Sequence, residues 1–223
     1  MVVEELIVMI TSFSSDHKIM AWLSPAYPTG AYSFSHGLEE AISSKIIHDK
    51  EGLYQWLLQI LRFGSGRNDA ILVSNAFNCE TKNLVDLGRT AEAFAGTRQR
   101  HHESLQQGLA FAKITSRVCG INIPKVPLPI AVGHAAKLEN IELSRLLPLY
   151  IHAFTANLVS AAIRFLPLGQ TDGQMILFEL FNEFDRLGDE TIEMGLDGLA
   201  NSCFLNDIGI MKHETMVTRI FRS

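Results

Sequence analysis

Between Leu146 and Ile163 the chain runs eighteen residues without an Asp, Glu, Lys or Arg. Such a stretch must be covered, by lipid or by the rest of the protein. A membrane-spanning helix needs about 20 predominantly apolar residues. Here Pro148, His152, Thr155, Asn157 and Ser160 interrupt an already short run. A helix buried on all sides inside a soluble bundle fits better. The remaining sequence agrees. Leu53, Trp56, Leu57, Ile60 and Leu61 recur at helical spacing, with Asp49 placed as N-cap. Ile71, Leu72, Val73, Ala76 and Phe77 mark a second helix over 69–78. A long helix is predicted from Arg98 to Cys119, stopped by Gly120 and the loop carrying Pro124, Pro127 and Pro129. Another follows Pro129 and ends near Asn140. Thr171 and Gln174 fit a capping box. The helix after them presents Leu177, Leu180, Phe181, Phe184 and Leu187 until Gly188. No segment alternates over strand length. The expected fold is all-α: a single-domain multi-helix bundle over 1–223.

Composition narrows the function classes. Apolar residues make up 47% and charged residues 19%, enough for a core and too few charges for a disordered chain. A net charge of −5 speaks against nucleic acid as a partner. Cys79, Cys119 and Cys203 are odd in number, far apart and form no CxxC. That usage suits a reducing, cytoplasmic setting. Glu4 and Glu5 precede the apolar run Leu6–Ile10, where a signal peptide would need positive charge. Residues 1–16 read as a flexible N-terminal extension, and no membrane partner is expected.

Little in the sequence suggests catalysis. There is no G-x-x-x-x-G-K-[ST], so a nucleotide would have to be bound by another protein. Gly64-Ser65-Gly66-Arg67 reads as a helix C-cap. Ser33-Phe34-Ser35-His36-Gly37 is one residue from G-x-S-x-G, but a nucleophile elbow needs a preceding strand. The histidines, His101-His102 included, show no spacing that would hold a metal from one helix face. Arg98, Arg100, His101, His102 and Glu103 read as a solvated charged face. The last residues are odd. Ile208, Ile210, Met211, Met216, Val217, Ile220 and Phe221 are apolar in a segment that would ordinarily fray. The tail, 204–223, must dock on its own bundle or on a partner.

The segment from Trp22 to Glu39 is unlike the rest. Pro25 and Pro28 fix φ, and Gly30 and Gly37 permit conformations other residues resist. Ser35 stands where an N-cap would, with Glu39 and Glu40 in the first turn. Trp22-Leu23-Ser24-Pro25-Ala26-Tyr27-Pro28-Thr29-Gly30-Ala31-Tyr32-Ser33-Phe34-Ser35-His36-Gly37-Leu38-Glu39 resembles the signature W-L-S-P-A-F-P-x-G-A-F-S-Y-S-H-G-L-E of UreF-type urease accessory proteins. Arg164 to Gln174 resembles that family's R-x-x-P-L-G-Q-T-D-G-Q. Met211 to Thr215 and Arg219 to Ser223 resemble its M-x-H-E-T and S-R-L-F-x-S ending.

The resemblance implies a non-enzymatic accessory protein for nickel insertion into apo-urease. It implies a bridge between a UreD/UreH-type accessory protein and a UreG-type GTPase, modulation of GTP hydrolysis, and a homodimer. Nickel and GTP would be involved through partners, with no cofactor bound directly. The implied partner surface takes Tyr27, Tyr32, Ser33, His36 and Glu39 from the loop and His213, Glu214, Arg219 and Arg222 from the tail. An all-α adaptor for an unrelated partner is the alternative, and a serine hydrolase the third.

Overall fold

The computed structural model describes residues 15–222, and within them the secondary structure is helical with no strand. Helix α1 covers 15–23. It is followed by α2 (Leu38–Ser43), α3 (Lys50–Phe63), α4 (Ser65–Asn78), α5 (Leu84–Ala93) and α6 (Arg98–Cys119). Then come α7 (Leu128–Leu138), α8 (Leu143–Ala162), α9 (Gln170–Glu179), α10 (Phe181–Thr191) and α11 (Phe204–His213). The expected N-terminal extension lies outside the described residues, except that 15 and 16 already belong to α1.

Helix α4 is the hub. It packs against α3, α5, α7, α8 and α10. Its Ala70, Ile71, Val73 and Ala76 are fully buried. The closest approach is to α7, and Gly133 permits it. A Cβ there would stand 2.2 Å from the Val73 carbonyl oxygen. The uncharged run falls on α8, where Leu146, Leu147, Tyr150, Ile151, Leu158 and Val159 are buried. Its cover is α4 on one side and α10 on another. No helix among the described residues is long and apolar enough to cross a membrane.

Local signals hold in several places. Asp49 caps α3, accepting the Gly52 amide at 2.8 Å. Thr97 caps α6 by accepting the Arg100 amide, and Gly120 ends that helix with φ 70°. Other boundaries differ from expectation. Gly64 does end α3, but Ser65, Gly66 and Arg67 already form the first turn of α4. The expected single helix after Thr171 is two, broken at Leu180. Thr171 lies inside α9; the cap position is Gly169, whose amide donates to Asp172 Oδ2 at 2.9 Å. Gly188 is internal to α10 rather than its end, because Pro148 of α8 packs against it.

Ser35 is not the N-cap of α2 either. That position belongs to Gly37, φ 81°, after His36 at φ 54°. Two successive left-handed residues turn the chain sharply into α2. A Cβ on Gly37 would also meet Ile210 of α11 at 2.9 Å. The turn therefore brings α2 and α11 into contact, and with them the loop and the tail.

Candidate partner-binding site

Glu39 lies in the first turn of α2 and is 4% exposed. Its Oε2 is 3.0 Å from His213 Nε2 and accepts the Phe221 amide at 2.9 Å. Its Oε1 accepts the Ile220 amide at 2.8 Å. Burial alone would raise this carboxyl. The His213 ring and the Phe221 and Ile220 amides together outweigh it and hold the carboxyl below its ordinary value. One residue on, the Arg222 amide donates to the Ser33 carbonyl at 2.8 Å. Phe221 is buried against Phe165, with the Arg164 guanidinium 5.5 Å above its ring. The tail thus lies on the loop and on the end of α8.

Of the nine candidate residues, Ser33, Glu39 and His213 meet in this clasp, joined by the backbone of Arg222. Tyr32 is 69% exposed, and Arg219 is exposed beside the clasped Ile220 amide. Glu214 pairs with Arg98 of α6. Tyr27 points elsewhere: its hydroxyl meets Thr115 Oγ1 at 2.7 Å, and its ring packs on Phe111. His36 is buried, with Nε2 2.8 Å from Ser65 Oγ and Nδ1 3.4 Å from Glu103.

His36 opens a network that sequence reasoning missed. Glu103 faces Arg100 at 3.3 Å, and Arg100 donates to Asp69 at 2.6 Å. Tyr150 donates to the same Asp69 oxygen at 3.2 Å. The expectation that Arg100 and Glu103 belong to a solvated face is therefore corrected. Both point inward, while Arg98 stays outside. Burial by itself would lower the Arg100 guanidinium; Asp69 and Glu103 reverse this and keep it firmly charged. Tyr150 is pushed well up, by burial and then by Asp69. Two small cavities share Asp69 and Arg100 in their walls. The signature loop lines the larger one through Pro25, Tyr27, Thr29 and Ala31.

Among the described residues, no group of three or more His, Cys, Asp or Glu is arranged to hold a metal. Ser35 is fully buried and follows a 3-10 turn, without the strand an elbow requires. Much of the region's outward surface is apolar. On α11, Phe204, Leu205, Ile208 and Met211 are 70, 63, 43 and 50% exposed. Their spacing of i, i+1, i+4 and i+7 makes one outward stripe; beyond the helix, Val217 and Ile220 are exposed as well.

Residues 47–181 match the UreF family. The chain belongs to that family. It is 43% identical over 205 residues to "Urease accessory protein UreF" of Cereibacter sphaeroides, spanning 92% of this chain and 97% of the relative. The protein of the same name from Roseobacter denitrificans is 39% identical over 215 residues, 96% and 97% of the two chains. "Urease accessory protein UreF 1" of Brucella canis is 37% identical over 227 residues, 97% and 100% of the two. All three blocks quoted from the sequence therefore sit in a UreF chain involved in urease maturation, and the clasp links the first block to the last.

Proposed function

We propose that this UreF protein is a non-enzymatic, cytoplasmic adaptor in the maturation of apo-urease. It bridges a UreD/UreH-type accessory protein and a UreG-type GTPase. It modulates GTP hydrolysis while nickel, the cargo, passes to the enzyme. The observation that carries this reading is the exposed α11 stripe beside the loop and tail. Covering a side chain the size of Phe, Leu, Ile or Met yields about 1.5–3 kcal/mol. Four in a row are costly to leave in water without a partner. Tyr32 and Arg219 are exposed on the loop and the tail, and Tyr and Arg are types enriched at binding hot spots.

Tyr32→Ala and Arg219→Ala, made separately, are each expected to cost about 2 kcal/mol or more of partner binding. Both should leave the melting temperature unchanged, because both side chains face solvent. Pull-down from cells expressing the accessory proteins, with thermal melts alongside, is the check. Intact capture by both variants refutes the assignment.

The homodimer belongs to a second face. Leu149, Met175, Phe178 and Phe181 are 46, 50, 72 and 45% exposed. His152 stands edge-on to both Phe181 and Phe184. The Lys50–Glu179 pair and the pairs of Arg186 with Glu183 and Glu190 lie on the adjoining turns, so a two-fold copy meets charges of both signs. Phe178→Asp is expected to turn a dimer at tens of micromolar, the range of weak dimer affinities, into a monomer by light scattering. A dimeric variant, or a monomeric parent, overturns this.

A further inference from the structure

Between the end of α3, the start of α4 and α10 lies an open cleft walled by Arg62, Phe63, Arg67, Arg186, Leu187 and Glu190. One buried carboxylate fixes two of these arginines. Glu183, 8% exposed, accepts Arg62 Nε and Nη2 at 2.9 Å each, and Arg186 Nη2 at 2.5 Å and Nε at 3.2 Å. Burial alone would raise this carboxyl; the Arg62 and Arg186 guanidiniums bring it down to about 2, so it is charged at neutral pH. Arg186 also pairs with Glu190. Arg67 is different. It is half-buried and donates to neutral acceptors, the Gly198 carbonyl and the Met194 sulfur. Among the described residues, no carboxylate pairs with it. Three guanidiniums against two carboxylates leave one positive charge in the cleft, in a chain whose net charge is −5. A partly desolvated cation without a counter-charge is costly. A planar guanidinium fork is shaped to take a carboxylate.

We propose that this cleft is a docking site for an acidic segment of a protein partner, in which one Asp or Glu side chain stands next to an apolar one. Arg67 supplies the unmatched charge. Arg62 Nη1, which has no bond among the described contacts, supplies a further donor. Phe63, 50% exposed at the rim, gives the apolar neighbour a surface. An excess of one charge matches a single carboxylate, whereas a phosphate dianion would leave negative charge over beside Glu190. Binding of such a segment by the isolated chain is independent of the adaptor reading; the identity of the partner rests on it.

The test uses the full chain, nitrogen-labelled for NMR, and the blocked peptide acetyl-Leu-Glu-Leu-amide. The expected result is a saturable shift of the Arg67 Nε–H resonance at roughly millimolar peptide, the range of weak single-site binding. The same peptide with Gln in place of Glu should give no saturable shift. Arg67→Gln should weaken the acidic peptide about tenfold or more, the usual loss for a hydrogen bond to a charged group. Glu190→Gln should act in the opposite direction. It releases Arg186 and adds a positive charge, and is expected to tighten binding by about threefold, the scale of one exposed ion pair. A merely structural ion pair gives no such gain, and this variant keeps the test open if Arg67→Gln fails to fold. A photo-crosslinking residue in place of Phe63, mixed with the purified accessory proteins and apo-urease, should label a peptide of one of them that carries Asp or Glu. Equal shifts with acidic and neutral peptides, or none with either, overturn the carboxylate site. Inorganic phosphate acting at far lower concentration than the peptide assigns the cleft to phosphate and overturns the docking. Crosslinking to a second copy of this chain, or to none of the proteins, overturns the partner even where the peptide binds. The adaptor reading itself is judged separately, by the Tyr32 and Arg219 variants.

Discussion

Arg100→Ala should destabilise this protein by about 3–5 kcal/mol, the usual cost of breaking a buried ion pair from one side. Arg100 is 7% exposed, and its guanidinium is the only cation bonded to both Asp69 and Glu103 among the described contacts. Removing it leaves two carboxylates inside the bundle. Tyr150 can still donate to Asp69, Gln107 can donate to Glu103, and His36 Nδ1 stays 3.4 Å from Glu103, but none of them bridges the two carboxylates. Neutral donors do not replace a charge. For a domain of this size the loss corresponds to a fall of about 6–20 °C in melting temperature. Calorimetry at neutral pH checks it. Replacing the whole set with apolar residues of matched volume should cost far less, because the desolvation penalty then disappears as well. A loss below about 1 kcal/mol for the single variant would place the network in solvent rather than in the core.

The second large effect concerns helix packing. Gly133→Ala places a Cβ 2.2 Å from the Val73 carbonyl oxygen and 2.9 Å from the Ala76 Cβ. The oxygen belongs to backbone and cannot swing aside, so α7 must move off α4, the most closely packed pair in the fold. Overpacking of this kind costs about 1–3 kcal/mol and occasionally more. In an open helix the same change gains up to about 1 kcal/mol. Gly209→Ala in α11 is the matched control. Its nearest neighbours would lie at an ordinary 3.6 Å, and it should be neutral or stabilising. Chemical denaturation of both variants reads the two signs in one experiment. Equal effects at the two sites would refute the packing argument.

Much of the fold was legible because the strongest signals were local. Gly120 closes α6 in the sequence as it does in space. Asp49 announces α3 in the same way. The break at Leu180 was not legible. The apolar period runs through it unbroken, with no Gly or Pro to mark the bend. Ser35 misled for a related reason: His36 adopts a left-handed conformation that few non-glycine residues take, and this moves the cap two places on.

The site divides along the same line. The Trp22–Glu39 segment stood out by its residue types, and its match to the family signature made it a candidate surface. Its partners could not be read. Asp69 is 31 residues from Arg100, so a helix-face argument applied to α6 alone sends Arg100 to water. Glu39 looked like a dipole residue until the tail was seen lying on it. Pairings across such distances leave no periodic trace.

The clasp also sets a schedule for synthesis. Glu39 and Phe221 are 182 positions apart. At about 5–20 residues per second, a ribosome needs roughly 10–40 s to travel from one to the other. Over that interval helices α3 to α10 can emerge and collapse around α4, while the Glu39 carboxylate has no tail to bond. The clasp is therefore completed last. A nascent chain that has not yet delivered residues 213–222 carries a folded interior and an unfinished exterior. Chains released early in translation would lack the clasp altogether, and Glu39 would be left without the amides of Ile220 and Phe221.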